Sequence, residues 1–347
     1  MKNIDVEPPG FYGTQPTSLL NLIPETPKNR YFYENGFSKL IPRLTLRVHS
    51  DIEECFYLWD KFSPKKSLFD LWDFRYSWYQ GHKNKPYFYT LYEGKTPLAL
   101  LPLCFDARDK KRYEWFGTNW MEDNAFFVKD DSLIDLLYGV FPTPIHLNAI
   151  EAKAEWRDKP IVKRFQKDDP KNLKNISGTS SIEDLLSAFQ KKHRYNLKSD
   201  YQEVQSLNPK IVVTEGKNLD LIEILIQMNI DQFSDRAGDE SDLVVPKRAE
   251  TYRYMIKNSG IYGVKFIQVF IQNRLAGIDF VIEYKDIYYT IKGGIDVHRF
   301  KGVSNFMVYF EFEDAIAGGF SSVDCLQIDY GWKHRYFDQK EVFIFEK

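Results

Sequence analysis

The sequence is poor in cysteine: Cys55, Cys104 and Cys325 are the only three among 347 residues. They are widely separated and lack C-x-x-C spacing, which excludes a disulfide framework and points to a reducing cytoplasm. Histidine is scarce as well. His49, His82, His146, His193, His298 and His334 never form H-x-x-x-H or H-E-x-x-H, so no metal centre is expected. The chain has no G-x-S-x-G elbow, no G-x-x-x-x-G-K-S/T loop and no G-x-G-x-x-G following a strand. These absences set aside hydrolase, nucleotidase and dehydrogenase chemistries. No uninterrupted apolar run reaches the roughly 18 residues that span a bilayer. The opening MKNIDVEPPGFYGTQP has no apolar signal core, so a soluble, cytoplasmic protein is expected. Charge of one sign is also missing: 47 Lys and Arg face 49 Asp and Glu, for a formal net charge of −2. That balance argues against binding nucleic acid over the whole surface.

What is present is apolar and aromatic. Residues of hydrophobic type make up 43% and aromatic rings 16%, enough for a large core. The length suggests two domains. Residues 1–43 carry six prolines, at 8, 9, 16, 24, 27 and 42, and read as an irregular strap tacked down by aromatic and leucine side chains. A first domain is expected over 44–175. Leu44 to Val48 forms its opening strand, and helices are expected over Asp51 to Asp60 and Leu68 to Tyr79. A hairpin, PYFYTLYEGKTPLALLPLCF, turns at Glu93-Gly94-Lys95. A second domain, 176–347, opens with a helix over Ile182 to Ser206. Lys191, Arg194 and Lys198 share one basic face of that helix at i, i+3, i+7 spacing. An amphipathic helix over Leu219 to Phe233 leads to a polar loop, Ser234 to Asp242, placed over a cleft. Another helix is expected over Ala249 to Asn258. A second hairpin, VKFIQVFIQNRLAGIDFVIEY, lies about 175 residues after the first, as tandem copies of one mixed α/β unit would. The closing run, Val342 to Phe345, suits a central strand.

The most informative stretch is Asp286 to Phe337. Ile287 to Ile291 are β-branched or aromatic and predict a strand. Gly293-Gly294 and a basic segment, Arg299 to Gly302, follow. Ser304 or Asn305 is then expected to cap a helix over Phe306 to Ala317. Its carboxylates, Glu311, Glu313 and Asp314, fall in the second half, so the first turn keeps free N–H groups suited to an anion. A strand over Val323 to Tyr330 comes next, then Gly331 and an aromatic, basic segment ending at Tyr336.

Arg299-x-x-Gly302-x-Ser304 resembles the R/Q-x-x-G-x-G/A pyrophosphate loop of the GNAT acyltransferases. The run through FKGVSNF, AIAGGF and QIDYG to Tyr336 is similar to the C-terminal part of the BioF2-like (CelD-type) acetyltransferase domain, a relative of the FemABX aminoacyltransferases. The Pro102-Leu103 and Phe116-Gly117 pairs resemble that family's N-terminal half, and Lys191 to Lys198 its K-x-x-R element. The resemblance implies two tandem GNAT-like domains of α/β (α+β mixed) class, each a mixed, mostly antiparallel sheet flanked by helices. It implies an N-acyltransferase with acetyl-CoA or another acyl-CoA as co-substrate and no metal. The acceptor would be a small-molecule amine or amino sugar, in polysaccharide or cell-envelope biosynthesis. Arg299, Lys301, Gly302, Val303, Ser304 and Asn305 would hold the phosphates, and backbone around Ile291 to Gly294 the oxyanion. Asp329, matching the D-F/Y-G segment, would move the proton, with Asp296 second and Tyr336 a further catalytic group. Phe337 stands where the family has a Lys after that Tyr. Lys191, Arg194 and Lys198 would face a phosphorylated substrate. Two alternatives stay open: a FemABX-type aminoacyl-tRNA-dependent aminoacyltransferase, and a non-catalytic binding protein on a GNAT fold.

Overall fold

In the computed structural model, which describes residues 13–234 and 240–347, the chain divides into two compact units. The first comprises residues up to Asp168 together with Val342–Lys347, and the second Asp169–Glu341.

In the first unit the strap carries β1 (Thr17–Ser18) and the short helices α1 (Leu19–Leu22) and α2 (Arg30–Glu34), then feeds β2 (Leu44–His49). Helix α3 (Ile52–Phe62) starts where the Asp51 carboxylate accepts the N–H groups of Glu53 and Glu54, both at 3.0 Å. The helix expected from Leu68 begins later, as α4 (Trp72–His82), because Leu68–Asp70 forms a separate tight turn. Strands β3 (Lys85–Glu93) and β4 (Thr96–Asp106) are the predicted hairpin, followed by β5 (Arg112–Trp115), β6 (Phe127–Val128), α5 (Leu133–Gly139), β7 (His146–Ile150) and β8 (Gln166–Lys167). The sheet order is β1-β2-β3-β4-β5, with β6 also on β4. Trp59 and Phe116 are fully buried against it with Phe88 and Leu100. At that core lies a buried cation. Arg75 donates to the carbonyls of Phe69 (2.6 Å) and Phe116 (3.0 Å) and to Asn124 Oδ1 (2.8 Å), with its guanidinium 5.0 Å over the Trp59 ring.

The second unit runs β9 (Lys171–Asn175), α6 (Ile182–Ser187), α7 (Lys191–Ser206), β10 (Lys210–Glu215), α8 (Leu219–Phe233), α9 (Pro246–Lys257), β11 (Gly263–Ile271), β12 (Arg274–Tyr284), β13 (Ile287–Ile295), α10 (Val303–Ala317), β14 (Ser322–Asp324) and β15 (Asp338–Lys340). Its sheet order is β10-β11-β12-β13-β14-β9-β15. The pairings from β10 to β13 are antiparallel and β13 meets β14 in parallel. Because side chains alternate across a strand, the two faces can be told apart. A side chain at Gly277 would strike Met307 of α10, whereas one at Gly294 would strike the backbone of Met228 and Asn229 on α8. Helices α6, α7 and α10 thus share one face, bound by Phe306, Tyr309 and Phe312, and α8 with α9 cover the other.

The last strand, β16 (Phe343–Glu346), belongs to the first unit, where it lies between β7 and β8. The division at 168/169 therefore differs from the 175/176 read from the sequence. Lys171–Asn175 pairs with β14 and β15, which ties it to the second sheet. The helix expected over Ile182 to Ser206 is broken into α6 and α7, because Phe189 turns inward to meet Phe312 and Tyr336 at ring separations of 6.0 and 5.8 Å. The expected loop over a cleft falls in part on residues 235–239, outside the described residues.

Replacing Arg75 with Met should strand three buried acceptors and destabilise the first unit by about 2–4 kcal/mol. Urea unfolding followed by tryptophan fluorescence checks this; an unchanged midpoint would show those carbonyls to be satisfied otherwise.

Candidate functional site

The candidate site begins where β13 leaves β14. The two strands pair over Ile287↔Ser322, Tyr288↔Val323 and Tyr289↔Asp324 only, while β13 runs on beside β12 to Ile295. In the β12 register Val281 faces Thr290 and Phe280 faces Lys292, so Ile291 is an extra residue in a bulge. From Thr290 onward one edge of β13 has no strand partner among the described residues. The N–H of Asp296 bonds the carbonyl of Ala276 on β12 at 3.0 Å, so the peptide groups of the alternate residues, Gly293 and Ile295, point to the open edge. Side chains of α8 meet them there. Asn229 Nδ2 donates to the Gly293 carbonyl (2.5 Å), and the Ile295 N–H donates to Gln232 Oε1 (3.1 Å).

β14 is much shorter than the Val323 to Tyr330 strand read from the sequence. Past Asp324 the chain coils, with Leu326 and Ile328 in the left-handed region at φ 62° and 57°. The carbonyls of Cys325 and Gln327 both accept from the buried Lys333 ammonium, at 2.5 and 2.7 Å. A loop wound around a cation cannot also continue a ladder, which is why the strand stops.

Helix α10 starts at Val303, with Gly302 as its N-cap at φ 80°. This replaces the expected Ser304 or Asn305 cap and lengthens the helix by a turn. No side chain caps it and its first turn holds no acid, so the dipole end is uncompensated by its own residues. Val303 is buried, Ser304 and Lys301 are exposed, and Asn305 is half-buried. The expected cation is turned elsewhere: Arg299 is mostly exposed, its backbone N–H bonds Asp296 Oδ1 at 3.1 Å, and its guanidinium lies 3.7 Å from Asp296 Oδ2. Asp296 is thereby occupied as the partner of its own loop.

A carboxylate that sequence reasoning passed over stands at this helix end. Asp200 of α7 accepts from Asn305 Nδ2 at 2.6 Å, and it lies where a side chain on Gly302 would touch it at 3.4 Å. Tyr336, buried, donates its hydroxyl to Asn305 Oδ1 at 3.2 Å, so Asp200, Asn305 and Tyr336 form one chain of hydrogen bonds. Burial, then the Asp200 charge, raises the Tyr336 phenol above its ordinary pKa. At 3.6 residues per turn, Lys191, Arg194 and Lys198 sit roughly 120–180° around α7 from Asp200. The structure brings Asp200 to the start of α10 and not that triad; Arg194 instead donates to the Ser187 carbonyl at 3.2 Å.

Asp329 is held by its own segment. It accepts from the N–H groups of Trp332 and Lys333, both at 2.8 Å, from that of His334 at 3.3 Å, and from His334 Nδ1. Burial works to raise its pKa, yet these donors together hold it below the usual carboxylate range. A carboxylate so bound is a weak base, and its geometry is that of a cap on Lys333–Arg335. On the α8 face, Lys292, next to the bulge, pairs with Asp242 (2.5 Å), which also receives Arg248.

Asp279 was also missed. It lies opposite Gly293 in the β12–β13 register, and a side chain on Gly293 would fall 2.1 Å from Asp279 Oδ1. Its partner is Glu311, buried in the third turn of α10. The readable signal was a carboxylate in the middle of an apolar strand, LAGIDFVIEY, on the face where Gly277 and Val281 are buried. Among the described residues no cluster of His, Cys, Asp and Glu could hold a metal, and no helix is long and apolar enough to cross a membrane.

Residues 191–334 match the family model described as an acetyltransferase (GNAT) domain. No protein among those of curated function matches. Among solved structures, the chain is similar to FemX, at 10% identity and a TM-score of 0.54, covering 87% of this chain and 97% of that one. It is also similar to L-PGS from Bacillus licheniformis, at 9% identity and a TM-score of 0.53, covering 86% and 92%. A tandem GNAT protein from the clavulanic acid biosynthesis pathway matches at 9% identity and a TM-score of 0.52, covering 87% and 97%. At these identities the likeness is one of fold, and it matches the mixed sheets flanked by helices described above. The match to an acetyltransferase (GNAT) domain thus lies in residues 191–334, within the second unit, and the likeness to solved structures extends it as a likeness of fold.

Proposed function

We propose that the chain is an N-acyltransferase that moves an acyl group from a coenzyme A thioester to the amine of a small molecule or amino sugar. The observation that carries this reading is the open edge of β13. It starts at the bulge of Ile291 and leads toward the uncapped, acid-free start of α10. Backbone amides from Ile291 to Gly294 would meet the oxyanion, while N–H groups at Val303, Ser304 and Asn305 would meet phosphates, helped by Lys301 and by Arg299 once it exchanges Asp296 for the ligand. Asp329 and Asp296 are supports of their own loops in this proposal, and Tyr336 orients Asn305.

A second reading, with aminoacyl-tRNA as donor, is favoured by two specific features. Asp200 places a negative charge at the α10 start, where phosphates would otherwise sit. Asn229 and Gln232 already occupy the Gly293 and Ile295 peptide groups that an extended amide-bearing donor would use.

Titration calorimetry with acetyl-CoA separates these readings. Under the first, Arg299→Glu should weaken binding by about 10–100-fold, the worth of one charge-assisted contact. Asp200→Asn should move affinity the other way, tightening it several-fold as the repelling carboxylate disappears. Should acetyl-CoA fail to bind while charged tRNA binds with steep salt dependence, the donor is the aminoacyl ester. Binding of neither ligand would leave a non-catalytic role for the fold.

A further inference from the structure

We infer that Asp279 and Glu311 form a proton-exchange pair for the transfer reaction, reaching the open edge of β13 across Gly293. The inference rests on the acyltransferase reading above and names residues that neither the family match nor the loop motif points to.

The placement is specific. Asp279 projects from β12 onto the α10 face, and its Oδ1 occupies the space that any side chain at 293 would need. Gly293 is two residues past the bulge of Ile291, on the strand whose second edge is open. Lacking a side chain there, β13 lets the Asp279 carboxyl lie directly against its backbone at Gly293, with Glu311 buried behind it. The glycine is thus a steric requirement of the carboxyl and not a turn residue.

Charge counting explains why the pair holds a proton. The layer between α10 and the sheet contains Glu311 and Asp314 from α10, Asp279 and Glu283 from β12, Lys265 from β11, Tyr288 from β13 and Cys325 just past β14. Lys265 is committed to Glu283 (2.7 Å) and Asp314 (2.9 Å), and the Tyr288 hydroxyl donates to Asp314 at 3.0 Å. Among the described residues no cation is left for Asp279 and Glu311, which hydrogen-bond to each other. Two carboxylates in contact in a poorly hydrated place cannot both ionise near neutrality. Burial pushes Asp279 up to about 7, and burial followed by the Asp279 charge pushes Glu311 further up. The Cys325 thiol, raised to about 11 by burial, stays neutral and is no competing nucleophile.

A pair that shares one proton at working pH can both give and take. As the amine nitrogen bonds the acyl carbon and the carbon–sulfur bond breaks, the pair gives its proton to the leaving sulfur. It regains one from the nitrogen, so that amine and thioester become amide and thiol with the pair unchanged. With an ester donor the leaving atom is oxygen and the balance is the same.

The test uses the full chain, acetyl-CoA and glucosamine as probe acceptor, with charged tRNA as the second donor, and three variants: Asp279→Asn, Glu311→Gln and Gly293→Ala. Each should keep donor binding and KM within a few-fold, and lower kcat by about 100-fold or more. In the Asp279→Asn variant the inflection of the kcat–pH profile near 7 should vanish. A readout free of activity is the ¹³C NMR titration of Asp and Glu carboxyls, in which the wild type should show a carboxyl titrating near neutrality that Asp279→Asn lacks. Unfolding free energy gives the same sign. Between about pH 4 and 7 the folded wild type holds a proton that the unfolded chain has lost, so its stability should fall relative to Asp279→Asn as pH rises. An active wild type whose Asp279→Asn and Glu311→Gln variants keep kcat and the neutral inflection overturns the proton role alone. So does a titration in which both carboxyls ionise near 4. A wild type that transfers no acyl group from either donor overturns the acyltransferase reading, and the proton role falls with it.

Discussion

The constraint on which the second unit depends is the parting of two strands. β13 and β14 share three residue pairs and then separate, so the β13 peptide groups that face away from β12 beyond Tyr289 must find partners other than a neighbouring strand. Buried backbone groups left without partners cost about as much as lost hydrogen bonds, so such an opening persists only if something occupies it. Part of the need is met internally, by Asn229 and Gln232 reaching in from α8. The bulge at Ile291 lies outside those two contacts, and it is the stretch of backbone that the chemistry would use.

Two further features keep the strands apart. Lys333 gathers the carbonyls of Cys325 and Gln327 and winds the chain past β14 into a loop with two left-handed residues, neither of them glycine. Strain of this kind survives where surrounding structure over-determines it. On the other side of the opening, α10 follows β13 through the left-handed Gly302, and α7 packs along it with Tyr201 stacked on Tyr309 at 3.8 Å and on Phe306 at 5.2 Å. This stack sets α7 beside α10, and Asp200 reaches the α10 start at Gly302 and Asn305. The same helix therefore supplies core contacts and a charge at the candidate anion site, which makes electrostatics there a balance rather than a simple attraction.

Much of the frame was legible in the sequence. The two hairpins stood out because apolar runs flank short polar turns, and α8 was read to its end residues from its cleanly amphipathic spacing; in the structure Asn218 caps it. The start of α10 was misplaced, since a glycine in the left-handed region took the capping place from Ser304 and Asn305. The single helix over 182–206 was broken by Phe189, whose burial against Phe312 and Tyr336 outweighs helical continuity. Of the site, the loop 299–305 was visible as a motif, whereas Asp200, Asp279, Glu311 and Lys333 were not. Each acquires its place from a residue distant in sequence: Asn305, Gly293, Asp279 and the carbonyls past β14.

The sequence by itself determined the alternation of strands and helices, the tandem hairpins, the lack of metal-ligand spacing and the glycine-bearing loop before α10. These are local properties, written in periodicity, turn chemistry and spacing. Tertiary structure alone decided where β14 stops, which α7 side chain meets the α10 start, that Arg299 turns to Asp296, and that two carboxyls share a buried contact beside Gly293. The reason is physical: ionisation, capping and edge satisfaction are settled by neighbours within a few ångströms, and those neighbours are fixed only once strand register and helix packing have formed.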